Sequence, residues 1–347
     1  MGNLVSIRLL SQQLASPQFS RPSEVVAHLG AMQAQDYRMM RWAVGMRMRT
    51  PSYEAFRKDY DKGAIIRMHL LRGTWQLIAA EDYGWMFDLC APKSLAVIKG
   101  WMNSNGISIS SEEIDSIKEI IISTLKEERS ADKEALAAAV EQATGKQMDP
   151  HRLSYHIRLA ELDGTLVSGD LHPSKATYSL AADKIPQRSR LDRDEALALL
   201  ARKYFQSHSP ATLEDFVWWS GMNLSDCRKG IELLEGCIVT ERWKGREYYI
   251  SDTCRTRGFR KGRTLLLPPF DEYLVGYKSR EVVLDPEFSH RAHNKCGMFY
   301  PVIARDGIIC GNWRMTGGKV QTEFFGEQVP VAECIPTAEG YLRLSRL

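Results

Sequence analysis

The sequence predicts an α+β protein, with three tandem winged-helix domains followed by a small antiparallel β domain of barrel-like character. Three observations predict it. One local pattern, a helix, then a glycine, then two β-rich runs joined by a turn, occurs three times along the chain. After about residue 263 the texture changes from helical spacing to short β-rich runs. The length of 347 residues suits roughly two to four domains.

In the first copy, residues 4–15, 22–31, 38–48 and 52–60 carry apolar side chains three and four apart and read as helices. Lys62-Gly63-Ala64-Ile65-Ile66 and His69-Leu70-Leu71 follow, with a turn at Arg72-Gly73 before Thr74-Trp75-Gln76-Leu77-Ile78. The second copy has a helix at 152–162, then Gly164-Thr165-Leu166-Val167, a tip at Gly169-Asp170, and Ala176-Thr177-Tyr178-Ser179-Leu180. The third has a helix at 227–234, Gly236-Cys237-Ile238-Val239, a turn at Lys244-Gly245, and Glu247-Tyr248-Tyr249-Ile250. Gly63, Gly164 and Gly236 occupy the same place in each, where a helix end calls for positive φ. The acidic stretch 112–134 reads as a helix with a solvated face. The expected domains are 1–100, 101–187, 188–262 and 263–347. In the last, Asp306-Gly307 and Gly317-Gly318 signal hairpins, and 338–347 reads as a return strand or a tail.

Apolar content of 44% and charged content of 26% fit packed domains and argue against disorder. A net charge of +3 creates no global field, so any nucleic-acid argument rests on local clusters. The seven cysteines are scattered without a C-x-x-C pair, which points away from a disulfide framework and a thiolate zinc site. His290-x-x-His293-x-x-Cys296 lacks a fourth ligand nearby, so neither a metal nor another cofactor is expected. With no signal peptide and no membrane-spanning run, a soluble cytoplasmic protein is expected, with no membrane and no obligate protein partner.

Cations gather on the elements that winged helices place against a duplex. The first wing offers Arg67, His69, Arg72 and Thr74, the second module's helix Arg152 and Arg158, and the third wing Arg242 and Lys244. The acid-free run 254–263 adds Arg255, Arg257, Arg260, Lys261 and Arg263. The cations among these residues suit double-stranded DNA, because they neutralise phosphates. Asp271 and Glu272 read as a salt bridge to that basic run, with acid–base work as the alternative.

Gln33 and Gln35 stand two apart after a helical run. Inside a helix such residues point to nearly opposite sides, so they share a target only if the helix stops at Gly30. A carboxamide offers an acceptor and donors, so a converging pair orients a water or reads a polar edge. The alternative is a pair of ordinary polar residues at a helix end.

Leu29-Gly30-Ala31-Met32-Gln33-Ala34-Gln35-Asp36, Leu71-Arg72-Gly73-Thr74-Trp75, and Ser209-Pro210-Ala211-Thr212-Leu213-Glu214-Asp215-Phe216-Val217-Trp218-Trp219-Ser220-Gly221 together resemble the AlkZ/YcaQ family of tandem-winged-helix DNA glycosylases. So do Leu267-Pro268-Pro269-Phe270-Asp271-Glu272-Tyr273-Leu274 and Gly311-Asn312-Trp313-Arg314. The resemblance implies DNA held in a concave array of winged helices closed by the β domain. It implies excision of alkylated purines, including bases tied into interstrand crosslinks, by a Gln-x-Gln signature that falls on Gln33 and Gln35 as catalytic residues. Many members carry Thr-x-His on the first wing, where this chain has Thr74-Trp75-Gln76, a change that bears on rate or substrate. The competing expectation is a non-catalytic tandem winged-helix DNA binder or transcriptional regulator.

Overall fold

Helices in this chain begin and end on local chemistry, and the computed structural model, which describes residues 2–185, 187, 189–326 and 330–345, shows the devices. Asp132, Asp149, Asp192 and Thr212 each accept a hydrogen bond from a main-chain N–H of the first turn of the helix that follows. Gly145 and Gly221 close helices in the left-handed region.

The chain divides into two compact units, Met1–Phe56 with Asp192–Leu347, and Arg57–Leu191. The first opens with helices α1 (Gly2–Ser11) and α2 (Pro22–Leu29), strand β1 (Ala31–Gln33), and helices α3 (Met40–Gly45) and α4 (Tyr53–Asp61), the last crossing the boundary. The second unit holds β2 (Ile65–His69), β3 (Trp75–Ala79), α5 (Ala80–Ser104), α6 (Ser111–Glu128), β4 (Ala131–Asp132), α7 (Lys133–Thr144), α8 (Pro150–Leu162), β5 (Leu166–Ser168), β6 (Thr177–Leu180) and α9 (Ala181–Lys184). The first unit then resumes with α10 (Arg193–His208), α11 (Leu213–Ser220), α12 (Leu224–Glu232), β7 (Ile238–Trp243) and β8 (Arg246–Ser251). It ends with β9 (Thr264–Leu267), α13 (Glu272–Val275), α14 (Ser289–Ala292), β10 (Val302–Arg305), β11 (Ile308–Thr316), β12 (Lys319–Phe324) and α15 (Ile335–Ser345).

The second unit is built on the inner faces of α6, α7 and α8. Ile117, Ile121, Leu125, Leu136, Leu153 and Ile157 recur at helical spacing and are buried together. The acidic stretch expected as one helix is two, α6 and α7, interrupted by β4, which pairs with β6. Strands β2 and β3 form an antiparallel hairpin with His69 opposite Trp75. Strands β5 and β6 do the same with Leu166 opposite Leu180. In the first unit β7 and β8 form a third hairpin. Gly63, Gly164 and Gly236 have φ of 75°, 82° and 81°, the conformation for which glycine was expected at all three places.

The C-terminal sheet is four-stranded and antiparallel, in the order β12-β11-β10-β9. Its outer strands do not meet, so among the described residues it is an open sheet and not a closed barrel. Asp306-Gly307 and Gly317-Gly318 turn its hairpins with positive φ throughout, as two-residue hairpin loops require. The last stretch is neither strand nor tail but helix α15. Ala338 and Leu344 are buried, and Tyr341 lies edge-on to Trp42 at 5.9 Å and to Trp313 at 5.5 Å.

Candidate active site

The glutamine segment lies in the first unit and is not helical. Helix α2 stops at Leu29 because Gly30 takes φ 74° and its N–H turns back to the carbonyl of Ala27. The Lys203 ammonium donates to the same carbonyl at 2.8 Å, a cation at a helix C-terminus. The chain leaves as β1, with Gln33 its last residue, 8% exposed, and Gln35 exposed just beyond. Capping falls to other groups: Gly30 ends α2, and the Asp36 carboxylate receives the N–H groups of Arg38 and Met39 ahead of α3. The helix-end reading of the two glutamines is therefore replaced by a strand that runs out into an exposed bend.

Beneath β1 lies α13. Asp271 and Glu272 adjoin in sequence but face different partners, and neither reaches the basic run. Asp271 caps α13 and pairs through both oxygens with the buried Arg47 guanidinium, at 2.7 and 2.9 Å. Glu272, 2% exposed, accepts the main-chain N–H of Gln33 at Oε1, 2.6 Å away. Its Oε2 faces Nε2 of the fully buried His208 at 3.3 Å. Gln12 ties the two acids together, accepting from Arg47 at 2.9 Å and donating to the Glu272 carbonyl at 3.2 Å. In place of the salt bridge to the basic run expected from the sequence stand two buried ion contacts joined through Gln12.

The cations divide by burial. Arg67 and His69, expected as phosphate contacts, are only 4% and 2% exposed. The Arg67 guanidinium lies 3.7 Å over the Trp75 ring, and His69 packs 3.8 Å from the same ring while its Nδ1 meets Glu161 Oε2 at 2.5 Å. Burial pushes the His69 imidazole below its ordinary value, and the Glu161 charge opposes that shift. Arg152 is half-buried and paired with Glu113, whose carboxyl it holds below the usual range. In the basic run, Arg255 and Arg263 are half-buried and donate to the main-chain carbonyls of Ser16 and Ala15. Arg242, Lys244, Arg257, Arg260 and Lys261 are exposed, and Arg72, Thr74 and Arg158 are partly so.

In the β2–β3 hairpin the departure at Gln76 has a structural use. The Gln76 amide, 1% exposed, donates to the Thr74 hydroxyl at 2.9 Å, which donates to the Leu71 carbonyl at 3.0 Å. Among the described residues no three His, Cys, Asp or Glu side chains gather as a metal site. His293 bonds the Ser289 hydroxyl and faces Phe299, while His290 and Cys296 are exposed. No helix among the described residues is long and apolar enough to cross a membrane.

Helices packed around small antiparallel sheets are the frame on which the glutamine segment stands. The family described as DNA glycosylase AlkZ-like matches residues 26–327, and the chain belongs to it. It is therefore a DNA glycosylase of the repair class. It is 25% identical over 357 residues to the interstrand DNA cross-link repair glycosylase of Streptomyces sahachiroi, covering 93% of this chain and 92% of that one. Its fold is similar to the solved structure of the DNA glycosylase AlkZ of Streptomyces sahachiroi. There the TM-score is 0.79 at 21% identity, over 99% of this chain and 96% of that one.

Proposed function

We propose that the chain is a monofunctional glycosylase that releases N7- or N3-alkylated purines from double-stranded DNA, with Gln33 and Gln35 holding the attacking water. The support is the segment itself, a carboxamide strand whose main chain is pinned from below by Glu272 while Gln35 stands in solvent. An alkylated purine already carries positive charge, so its bond to C1′ is weakened. As that bond breaks, its electron pair goes to the base nitrogen and neutralises the cation. The water oxygen then bonds to C1′, and its spare proton passes to solvent. Placing the water and accepting its hydrogen bonds is within reach of neutral amides, and no strong acid is needed for the leaving base.

The three helix–glycine–hairpin repeats are read as winged helices, within 1–100, 101–187 and 188–262, ahead of a β domain at 263–347. The exposed cations Arg242, Lys244, Arg257, Arg260 and Lys261, with Arg72, Thr74 and Arg158, are the phosphate contacts this reading retains. A crosslinked purine is a candidate substrate, because the Streptomyces sahachiroi relative carries that activity in its name.

The test is single-turnover incubation with duplex DNA bearing N7-methylguanine, followed by an abasic-site assay. Gln33→Ala and Gln35→Ala should each slow release by on the order of 10²- to 10⁴-fold with DNA affinity nearly unchanged. Gln35→Asp should keep more activity than Gln35→Ala. Wild-type protein that binds alkylated duplexes and releases no base would instead be a damage-binding module.

A further inference from the structure

We infer that His208 and Glu272 form a positioning pair, which sets the main chain of Gln33 at the distance from the lesion that water attack requires. The inference rests on the proposed role of Gln33. Neither side chain reaches solvent, so neither touches DNA or the attacking water. What they touch is the strand that does.

The hydrogen bonds form a directed chain. The Ser207 hydroxyl has one proton, and it donates this to the Lys203 carbonyl at 2.7 Å, an acceptor that can only receive. At 2.8 Å from His208 Nδ1, the same hydroxyl is placed to accept from an Nδ1–H, the tautomer that this proton assignment implies. At the other end the N–H of Gln33 donates to Glu272 Oε1, so that oxygen accepts. Between them Nε2 and Oε2 stand 3.3 Å apart, and the contact is attractive only with one proton on that line. The pair therefore links a rigid helix, α10, to the end of β1 by hydrogen bonds of defined direction.

Packing holds each member in place. The His208 ring stacks on Tyr204 with centroids 4.7 Å apart and meets Trp219 and Tyr277 at 5.7 and 5.6 Å. Tyr277 donates its hydroxyl to the His208 carbonyl at 2.9 Å, and Gln12 holds the Glu272 carbonyl. Gly276 leaves the necessary room, since a Cβ there would lie 2.7 Å from His208 Nε2.

This arrangement predicts that reach matters and charge does not. Glutamine at position 272 keeps both bonds, its carbonyl oxygen accepting from Gln33 and its amide donating to an unprotonated Nε2. Aspartate keeps the charge but is one methylene too short, and alanine keeps neither. Single-turnover release from N7-methylguanine DNA should leave Glu272→Gln within about threefold of wild type, whereas Glu272→Asp and Glu272→Ala fall by on the order of 10²-fold. Duplex affinity should hold in all three, which separates loss of positioning from loss of binding.

The opposite ranking, aspartate fast and glutamine slow, would show that the carboxylate acts through its charge and would overturn the inference. So would equal rates in all three variants. Thermal melts identify any variant that fails to fold, and the glutamine–aspartate contrast still decides if the alanine variant is lost. Gln33→Ala run alongside tells the two levels apart. A normal rate there sinks the underlying reading and the pair with it; a slow Gln33→Ala beside normal Glu272 variants sinks the pair alone.

Discussion

Among the described residues, each of the two units has a pair in which imidazole and carboxylate are both fully buried, and the two pairs differ in what they hold. In the second unit His69 meets Glu161 at 2.5 Å; in the first His208 meets Glu272 at 3.3 Å. All four side chains are at most 3% exposed. The contrast lies in the other carboxylate oxygen. Glu161 Oε1 has no hydrogen-bond partner among the described residues, whereas Glu272 Oε1 holds Gln33. One pair braces the turn end of the β2–β3 hairpin beside Trp75, and the other holds the main chain of the glutamine segment. A buried acid says little about function until both its oxygens are traced.

The comparison breaks most visibly at Glu161. Glu161→Ala leaves the buried His69 without its hydrogen-bond partner and should cost about 1–3 kcal/mol in urea unfolding. Base release per folded molecule should stay at the wild-type value, unlike Glu272→Ala. A matching loss of rate would place the His69 pair in the reaction as well.

Crowding sharpens the contrast next. Gly276→Ala puts a methyl 2.6 Å from the Glu272 carbonyl and 2.7 Å from the His208 ring, while Gly169→Ala in the other unit puts one 2.3 Å from Ser130 Oγ and 2.7 Å from Thr177 Oγ1. Each should cost about 1–3 kcal/mol. Only the change at Gly276 should slow excision, and equal rates would remove the distinction.

Acid provides a third comparison. Burial lowers the pKa of His28, on α2 just before the glutamine segment, from 6.5 to about 4, and that of His69 in the same direction. Below pH 6.5 the unfolded chain takes up protons that the folded chain refuses, so stability should fall as pH drops from 6.5 towards 4 and then level off. For His28 the loss should be on the order of 1–3 kcal/mol, and His28→Gln should flatten the fall when urea midpoints at both ends are compared.

The smallest effect on stability belongs to the exposed cations. Arg257→Ala with Arg260→Ala should change stability by less than about 0.5 kcal/mol. The slope of log K against log salt for duplex binding should nonetheless become shallower by roughly 2. An unchanged slope moves the DNA contacts elsewhere.

The sequence showed what is local. Helix, glycine and hairpin lie within one stretch of chain, so positive φ at Gly63, Gly164 and Gly236 and the turns at Asp306-Gly307 and Gly317-Gly318 were readable. Release of the glutamines from α2 was readable too, because Gly30 adjoins them. Contacts between distant residues were not. The Gln33–Glu272 bond spans 239 positions, and His208 lies 64 from Glu272. Nothing in either neighbourhood names the other. Arg67 and His69 alternate along a strand as wing cations would, but Trp75 from the paired strand covers that face. In the sequence the stretch of helix α15 reads as a strand or a tail; Pro336 sits in its first turn, where a helix tolerates it, and Gly340 lets Trp42 approach to 3.3 Å from where a Cβ would stand.

The first unit is made from two segments separated by residues 57–191, and this governs when its internal contacts form during synthesis. The residues 57–191 are continuous and leave the ribosome together, so they are able to fold while the rest is still being made. The glutamine strand emerges among the first residues, yet the acid that holds it is translated 239 positions later, roughly tens of seconds at ordinary elongation rates. Helix α15, which covers Trp42 from behind, is made later still. In the nascent chain the main chain of Gln33 therefore waits, without the carboxylate that will hold it, until residue 272 has been made.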